Sequence, residues 1–196
     1  MIFLLDNGHG ALTNSSYATP GKRSPVWDDG TQLFEGEFNR AIVSRIIEEL
    51  TLLKIPYVNI APEYWDVSLA TRVRRANKYP SRSSLYISVH SNAGGGSGSE
   101  MYTSKGGTKS DAFATIFGEE FLSEFPDENL RVDWRDGDLD KEKNFYVLRK
   151  TNMPAVLTES FFMDTERECK EYLMTRKGRD RIADYHIKAI KRIANG

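Results

Sequence analysis

The sequence predicts a single α/β domain built on a largely parallel or mixed sheet. Three observations carry this. Short apolar runs alternate with segments of helical period along the whole chain. No repeat, low-complexity linker or shift in composition divides residues 1–196, so they read as one domain. Hydrophobic residues make up 39%, with ten Phe, nine Tyr and three Trp, which is enough apolar area for one proper core.

The elements follow in order. Residues 2–6 (IFLLD) read as a buried strand ending in the turn Asn7-Gly8-His9-Gly10. Residues 11–34 are rich in Ser, Thr, Gly, Pro and Asp and read as a long loop. A helical period runs through 35–53, a second strand through 56–61, and a short helix through 67–78. The clearest strand is 84–90 (SLYISVH), followed by the glycine-rich stretch Gly94 to Gly98. Residues 99–104 read as a strand, 109–124 as a helix, and the polar, acidic 125–143 as a loop. The run 145–149 (FYVLR) leads to a last strand over 154–159, and helices close the chain from about 164 to 194.

Composition excludes several functions. Lys plus Arg is 27 against 28 for Asp plus Glu, a net charge of −1, which lacks the basic excess a nucleic-acid binder needs. One cysteine excludes an internal disulfide and a Cys-based zinc finger. No apolar run reaches the roughly 18–20 residues of a membrane span. The N-terminus lacks the basic segment of a signal peptide, leaving the route of any export open.

Two of the three histidines, His9 and His90, stand at the carboxyl ends of predicted strands, where ligands gather in open α/β sheets. His186 falls inside the C-terminal helical pattern and reads as a surface or packing residue. In the helix 35–53, Phe38, Ile42, Val43, Ile46, Ile47 and Leu50 share one face. Glu35 and Asn39 fall on that inward face, whereas Glu37 falls nearly opposite and looks solvated. An inward carboxylate needs a partner, and a metal would satisfy it, so Glu35 is the better ligand. Glu159 lies between two apolar stretches, which favours desolvation, a raised pKa and a general-base role. Two imidazoles and one carboxylate make the three-ligand set of a catalytic zinc site that keeps a fourth position for water.

Each residue also has a plainer reading. A strand-end histidine can be a hydrogen-bonded turn residue, Glu35 a charge favoured by the helix N-terminus, and Glu159 half of a salt bridge with Arg149 or Arg72. The stretch 94–98 lacks a following Gly-Lys-Ser/Thr and reads as a flexible loop, not a phosphate cradle. The acidic run from Asp133 to Lys143 reads as a solvated loop. Cys169 is flanked by Glu168, Glu171 and Glu166, which disfavour a thiolate. Gly-x-Ser-x-Gly and His-Glu-x-x-His are both absent.

In order along the chain stand Asp-Asn-Gly-His9-Gly, Glu35-x-x-x-Asn39, Leu69-x-x-Arg72-x-x-x-Ala76-Asn77, Ser-Val-His90-Ser-Asn-Ala and Pro154-Ala-Val-Leu-Thr-Glu159. This series, spanning residues 2 to 194, resembles the zinc-dependent N-acetylmuramoyl-L-alanine amidases of the amidase-3 type. The resemblance implies a twisted, mostly parallel sheet of about six strands with helices on both faces. It implies that His9, Glu35 and His90 bind Zn²⁺ and that Glu159 is the catalytic acid/base. Arg72 and Asn92, inside the shared motifs, are then expected to bind substrate. The implied reaction is hydrolysis of the amide between N-acetylmuramic acid and L-alanine, with peptidoglycan as the partner, in the cell envelope or periplasm, by a monomer. A phage-type endolysin and a recycling or remodelling enzyme fit equally.

Two departures stand out. The stretch from His9 to Glu35 is long and carries Trp27, Asp28 and Asp29, as a lip over the groove or an inert insertion. Two positions after Glu159, where the family has glycine, stands Phe161, read as a bulkier wall of the substrate groove. No autoinhibitory plug is expected between His90 and Glu159. The rival readings are a zinc peptidase acting on wall stem peptides, disfavoured because Leu12 stands three after His9, and a non-catalytic peptidoglycan-binding protein of the same fold.

Overall fold

A computed structural model describes residues 1–13, 16–134 and 137–196. Its centre is a six-stranded sheet of order β4-β1-β5-β8-β6-β7. These strands are β1 (Ile2–Asn7), β4 (Tyr57–Asn59), β5 (Ser84–Asn92), β6 (Glu100–Thr103), β7 (Lys141–Glu142) and β8 (Ala155–Phe162). The four strands β4, β1, β5 and β8 run parallel, while β6 pairs antiparallel with β8 and parallel with β7. The expected α/β domain with a mostly parallel sheet is therefore present.

Helices cover both faces. On one side α1 (Glu35–Leu52), α3 (Lys109–Glu124) and α6 (Arg176–Asn195) bury Phe38, Ile42, Phe117, Phe121, Ile182 and their neighbours against Phe3, Leu5, Leu85, Ile87 and Val89. On the other, α2 (Leu69–Ala76) and α4 (Tyr146–Lys150) pack Val73, Ala76, Val147 and Leu148 against Leu4, Tyr86 and Leu157. The alternation of a strand sorts each sequence onto these faces. On β5 the residues Leu85, Ile87 and Val89 face the larger core, so Ser84, Tyr86, Ser88 and His90 face the smaller one. The charged chemistry gathers on that second face, at the carboxyl ends of the parallel strands.

Three segments differ from the sequence reading. The loop 11–34 contains a two-strand ribbon, β2 (Leu12–Thr13) with β3 (Ser16–Tyr17). The loop 125–143 supplies the edge strand β7, whose two residues are too few for a periodic signal. The run 145–149 is the short helix α4, where Phe145 is the extended N-cap. The chain closes with α5 (Glu166–Glu168), a π-helical turn over Cys169–Leu173 and α6. Among the described residues no helix is long and apolar enough to cross a membrane.

Candidate metal centre

His9, Glu35 and His90 come from three separate elements and converge. Their ligand atoms lie within 4.8 Å of one another, and they are the cluster among the described residues that can hold a metal ion. Glu35 Oε1 is 3.3 Å from His9 Nε2 and 3.1 Å from His90 Nδ1. The imidazoles stand edge to face, ring centroids 5.0 Å apart. Two nitrogens and a carboxylate oxygen aimed at one point are the donor set zinc takes, so the residues fit the ion. Glu37, the rival ligand, is not part of the cluster.

Local sequence explains the convergence. His9 leaves β1 with a positive φ of 66°, a sharp backbone turn just past the strand end. Gly8 is required beside it, since a Cβ there would lie 2.0 Å from His90 Cε1. Asn39, one turn after Glu35 on the same buried face of α1, donates from Nδ2 to the Gly8 carbonyl at 2.9 Å. The helix that carries Glu35 thereby also holds the His9 turn. The expected inward placement of Glu35 and Asn39 is found, both fully buried.

A polar relay missed at the sequence level sits behind His90. Its Nε2 is 3.1 Å from Ser88 Oγ, and Ser88 donates to Asp6 Oδ2 at 3.0 Å. Tyr86 donates to the same oxygen at 2.5 Å, and Arg72 Nη1 is paired with Asp6 Oδ1. Because the Ser88 hydroxyl proton is given to Asp6, its oxygen accepts from Nε2–H, so His90 Nδ1 keeps its lone pair for the metal. Tyr86, Ser88 and His90 alternate along one face of β5, and a Ser in an otherwise apolar strand was the available signal.

Arg72, expected at the substrate, is engaged elsewhere. It lines the cavity, but its guanidinium pairs with Asp6 and donates to the carbonyls of Val67 and Asn7 at 2.7 and 2.8 Å. Asn92 also lines the cavity, donating to Glu100 Oε2 at 2.5 Å and accepting from the Ala93 N–H at 2.8 Å.

Glu159 is the Cα partner of His90 across β5 and β8 and lines the same cavity of about 580 Å³. The alternative salt bridges do not form: among the described residues its Oε2 has no hydrogen-bond partner. Burial, then the nearby Glu35 carboxylate, push its pKa well above the usual carboxylate range. Burial also opposes ionisation of Glu35, but its closeness to the imidazoles of His9 and His90 outweighs this and holds that pKa below the usual range. The two carboxyls are thus driven apart, one toward the ligand form and one toward the proton-carrying form.

Phe161 is not a groove wall. It has φ 59°, a left-handed conformation that favours glycine, and its side chain turns into the core to stack on Tyr172 at 4.3 Å. Trp27 likewise packs on the core and Asp29 pairs with Lys170 at 2.9 Å, so neither forms a lip. The glycine loop is held in place, with Asp164 Oδ2 accepting from the N–H groups of Gly94 and Gly95 at 2.7 and 3.0 Å. Cys169 is inert because it is buried, which raises its pKa, and not because of neighbouring carboxylates. His186 is a fully buried packing residue, bonded to Thr158 and the Ile182 carbonyl.

A family model described as N-acetylmuramoyl-L-alanine amidase (Amidase_3) matches residues 3–192. The N-acetylmuramoyl-L-alanine amidase CwlM of Bacillus licheniformis is 39% identical over 106 residues, 54% of this chain and 38% of that protein. The sporulation-specific N-acetylmuramoyl-L-alanine amidase of Bacillus subtilis is 37% identical over 101 residues, 50% of this chain and 35% of that protein. The matched regions thus span little more than a third of these curated relatives. Among solved structures, an N-acetylmuramoyl-L-alanine amidase from Clostridium difficile 630 superposes with a TM-score of 0.79 at 25% identity, covering 100% of this chain and 97% of that one. Ami1 from Mycobacterium smegmatis shares the fold, with a TM-score of 0.80 at 19% identity and 100% and 97% coverage.

Proposed function

The chain belongs to the Amidase_3 family of N-acetylmuramoyl-L-alanine amidases, and we propose that it hydrolyses the amide between N-acetylmuramic acid and L-alanine in bacterial peptidoglycan, with zinc held by His9, Glu35 and His90. The observation that carries this reading is the Glu159 carboxyl, whose Oε2 has no hydrogen-bond partner among the described residues, set in register with His90 beside a three-donor cluster. Zinc, when bound, supplies a Lewis acid for the amide carbonyl and lowers the pKa of water toward about 7. Glu159 takes the proton from the attacking water and returns it to the alanine nitrogen as the C–N bond breaks. Its desolvated position raises its proton affinity, so the proton it takes up is retained between the two transfers.

Asn92 faces the substrate from the cavity wall. Arg72 is a positioning residue that acts through Asp6 and Ser88 on the orientation of His90. In this reading the protein acts as a monomer, with residues 1–196 as one catalytic domain. The proposed place of action is the cell envelope or periplasm, as an endolysin or a wall-remodelling enzyme. Two variants test the assignment. Glu159→Gln is expected to keep bound zinc while turnover falls by about 10²–10⁴-fold, whereas His90→Ala loses both. Turnover close to wild type in the Gln variant would remove Glu159 from the mechanism.

A further inference from the structure

The cavity is rich in like charge. Asp6, Glu35, Asp66 and Glu159 all line it, against two cationic side chains, Arg72 and Lys22. Arg72 is neutralised by Asp6, with Asp66 3.4 Å away. Lys22 is different: it is exposed, and its ammonium enters no hydrogen bond or ion pair with any described residue. Among the charges felt by Glu159, Lys22 is the attractive one, opposed by Glu35 and Glu100.

Its placement is tied to the metal centre. The Lys22 carbonyl accepts the N–H of Glu35 at 3.0 Å, so this loop residue is fixed to the first residue of α1, itself a proposed ligand. The following residues lock the connection. Arg23 bridges to Phe34, Ser24 N–H donates to the Leu33 carbonyl at 2.9 Å, and Leu33 N–H donates to Ser24 Oγ at 2.8 Å. The backbone under Lys22 is therefore held while its side chain has no partner among the described residues at the cavity.

An acidic substrate entering this cavity meets the Asp66 carboxylate and needs a counter-charge. A muramoyl stem peptide is such a substrate, because the residue that follows L-alanine is a glutamate whose α-carboxyl is either free or amidated. We propose that Lys22 is a specificity-determining residue that binds this free carboxylate next to the scissile amide, so that the protein prefers stems in which it is not amidated. This rests on the amidase reading above.

The test uses two muramoyl-tripeptides that differ only in that carboxyl, as carboxylate or carboxamide, with zinc-loaded wild type, Lys22→Met and Lys22→Arg. Wild type is expected to favour the carboxylate by about tenfold in kcat/KM, mostly through KM, the size of one charge-assisted contact. Lys22→Met should level the two substrates by losing activity on the carboxylate alone, and Lys22→Arg should restore most of the preference. Equal losses on both substrates in Lys22→Met, or no preference in wild type, would overturn the proposal while leaving the amidase reading intact. Calorimetric binding of the two free tripeptides gives a second reading independent of turnover: discrimination that vanishes in Lys22→Met supports the proposal, and unchanged discrimination overturns it. Release of no alanine-terminated peptide from either substrate by wild type would instead overturn the amidase reading.

Discussion

His90 and Glu159 are direct partners across the parallel β5–β8 ladder, a proposed metal ligand and a proposed proton carrier projecting from neighbouring strands on one face of the sheet. Strand alternation makes this relationship strict. A slip of one residue in β8 would send Glu159 to the opposite face, into the core of α1, α3 and α6. The ladder is regular from Tyr86 to His90 and shifts only between His90 and Asn92, where Phe161 takes its left-handed turn. The irregularity thus begins after the two chemical groups have been placed.

Gly8 offers a steric test of the centre. A methyl at this position would lie 2.0 Å from His90 Cε1 and 2.5 Å from each ring nitrogen. The ring has to move, and its contact with Glu35 and Ser88 is lost. Gly8→Ala is therefore expected to weaken zinc binding by at least 10–100-fold, the scale seen when ligand orientation is disturbed. Zinc titration against a competing chelator measures it, and wild-type affinity in the variant would show that His90 is not held as described.

Phe161 separates strain from packing. Its left-handed backbone costs about 1–2 kcal/mol for a residue with a Cβ. Its ring packs against Phe121, Phe125 and Tyr172, and deleting such a side chain costs about 3–5 kcal/mol. Phe161→Gly is expected to be net destabilised by roughly 2 kcal/mol in urea unfolding, with substrate preference unchanged in the folded protein. An altered preference at unchanged stability would return Phe161 to the groove.

His186 sets a pH dependence of stability. Nδ1 faces the Ile182 carbonyl and must donate, so Nε2 accepts from Thr158 at 2.9 Å and the ring is neutral. Burial pushes its pKa down to about 4. The unfolded chain takes up this proton as pH falls below about 6.5, whereas the native protein resists until about 4, so stability is complete above about 6.5 and lost between those values. At pH 5 the loss from this group is about 2 kcal/mol. Urea midpoints from pH 7.5 to 4.5 should show a shallower decline in His186→Gln than in wild type, and identical slopes would contradict the assignment.

Much of the fold was legible because its signals are local. The 3.6-residue period placed Glu35 and Asn39 inward and Glu37 outside the cluster, and the apolar runs marked β1, β5 and β8. What escaped depends on distant partners or on backbone angles. Nothing local reveals the pairing of Arg72 with Asp6, 66 residues away in sequence. Phe161 looked like a groove wall because a positive φ at a residue other than glycine leaves no mark in the sequence. Lys22 gains its place only once the loop folds back on α1, and β7 is too short to carry a period.

The central claim is tested most directly by mass spectrometry of the products released from purified peptidoglycan, with and without a chelator. The account predicts stem peptides that begin with an unblocked L-alanine, together with bare glycan strands, and their disappearance on chelation with recovery on adding zinc. Peptides cut at another bond, or the same products in undiminished yield after the metal is removed, would contradict it.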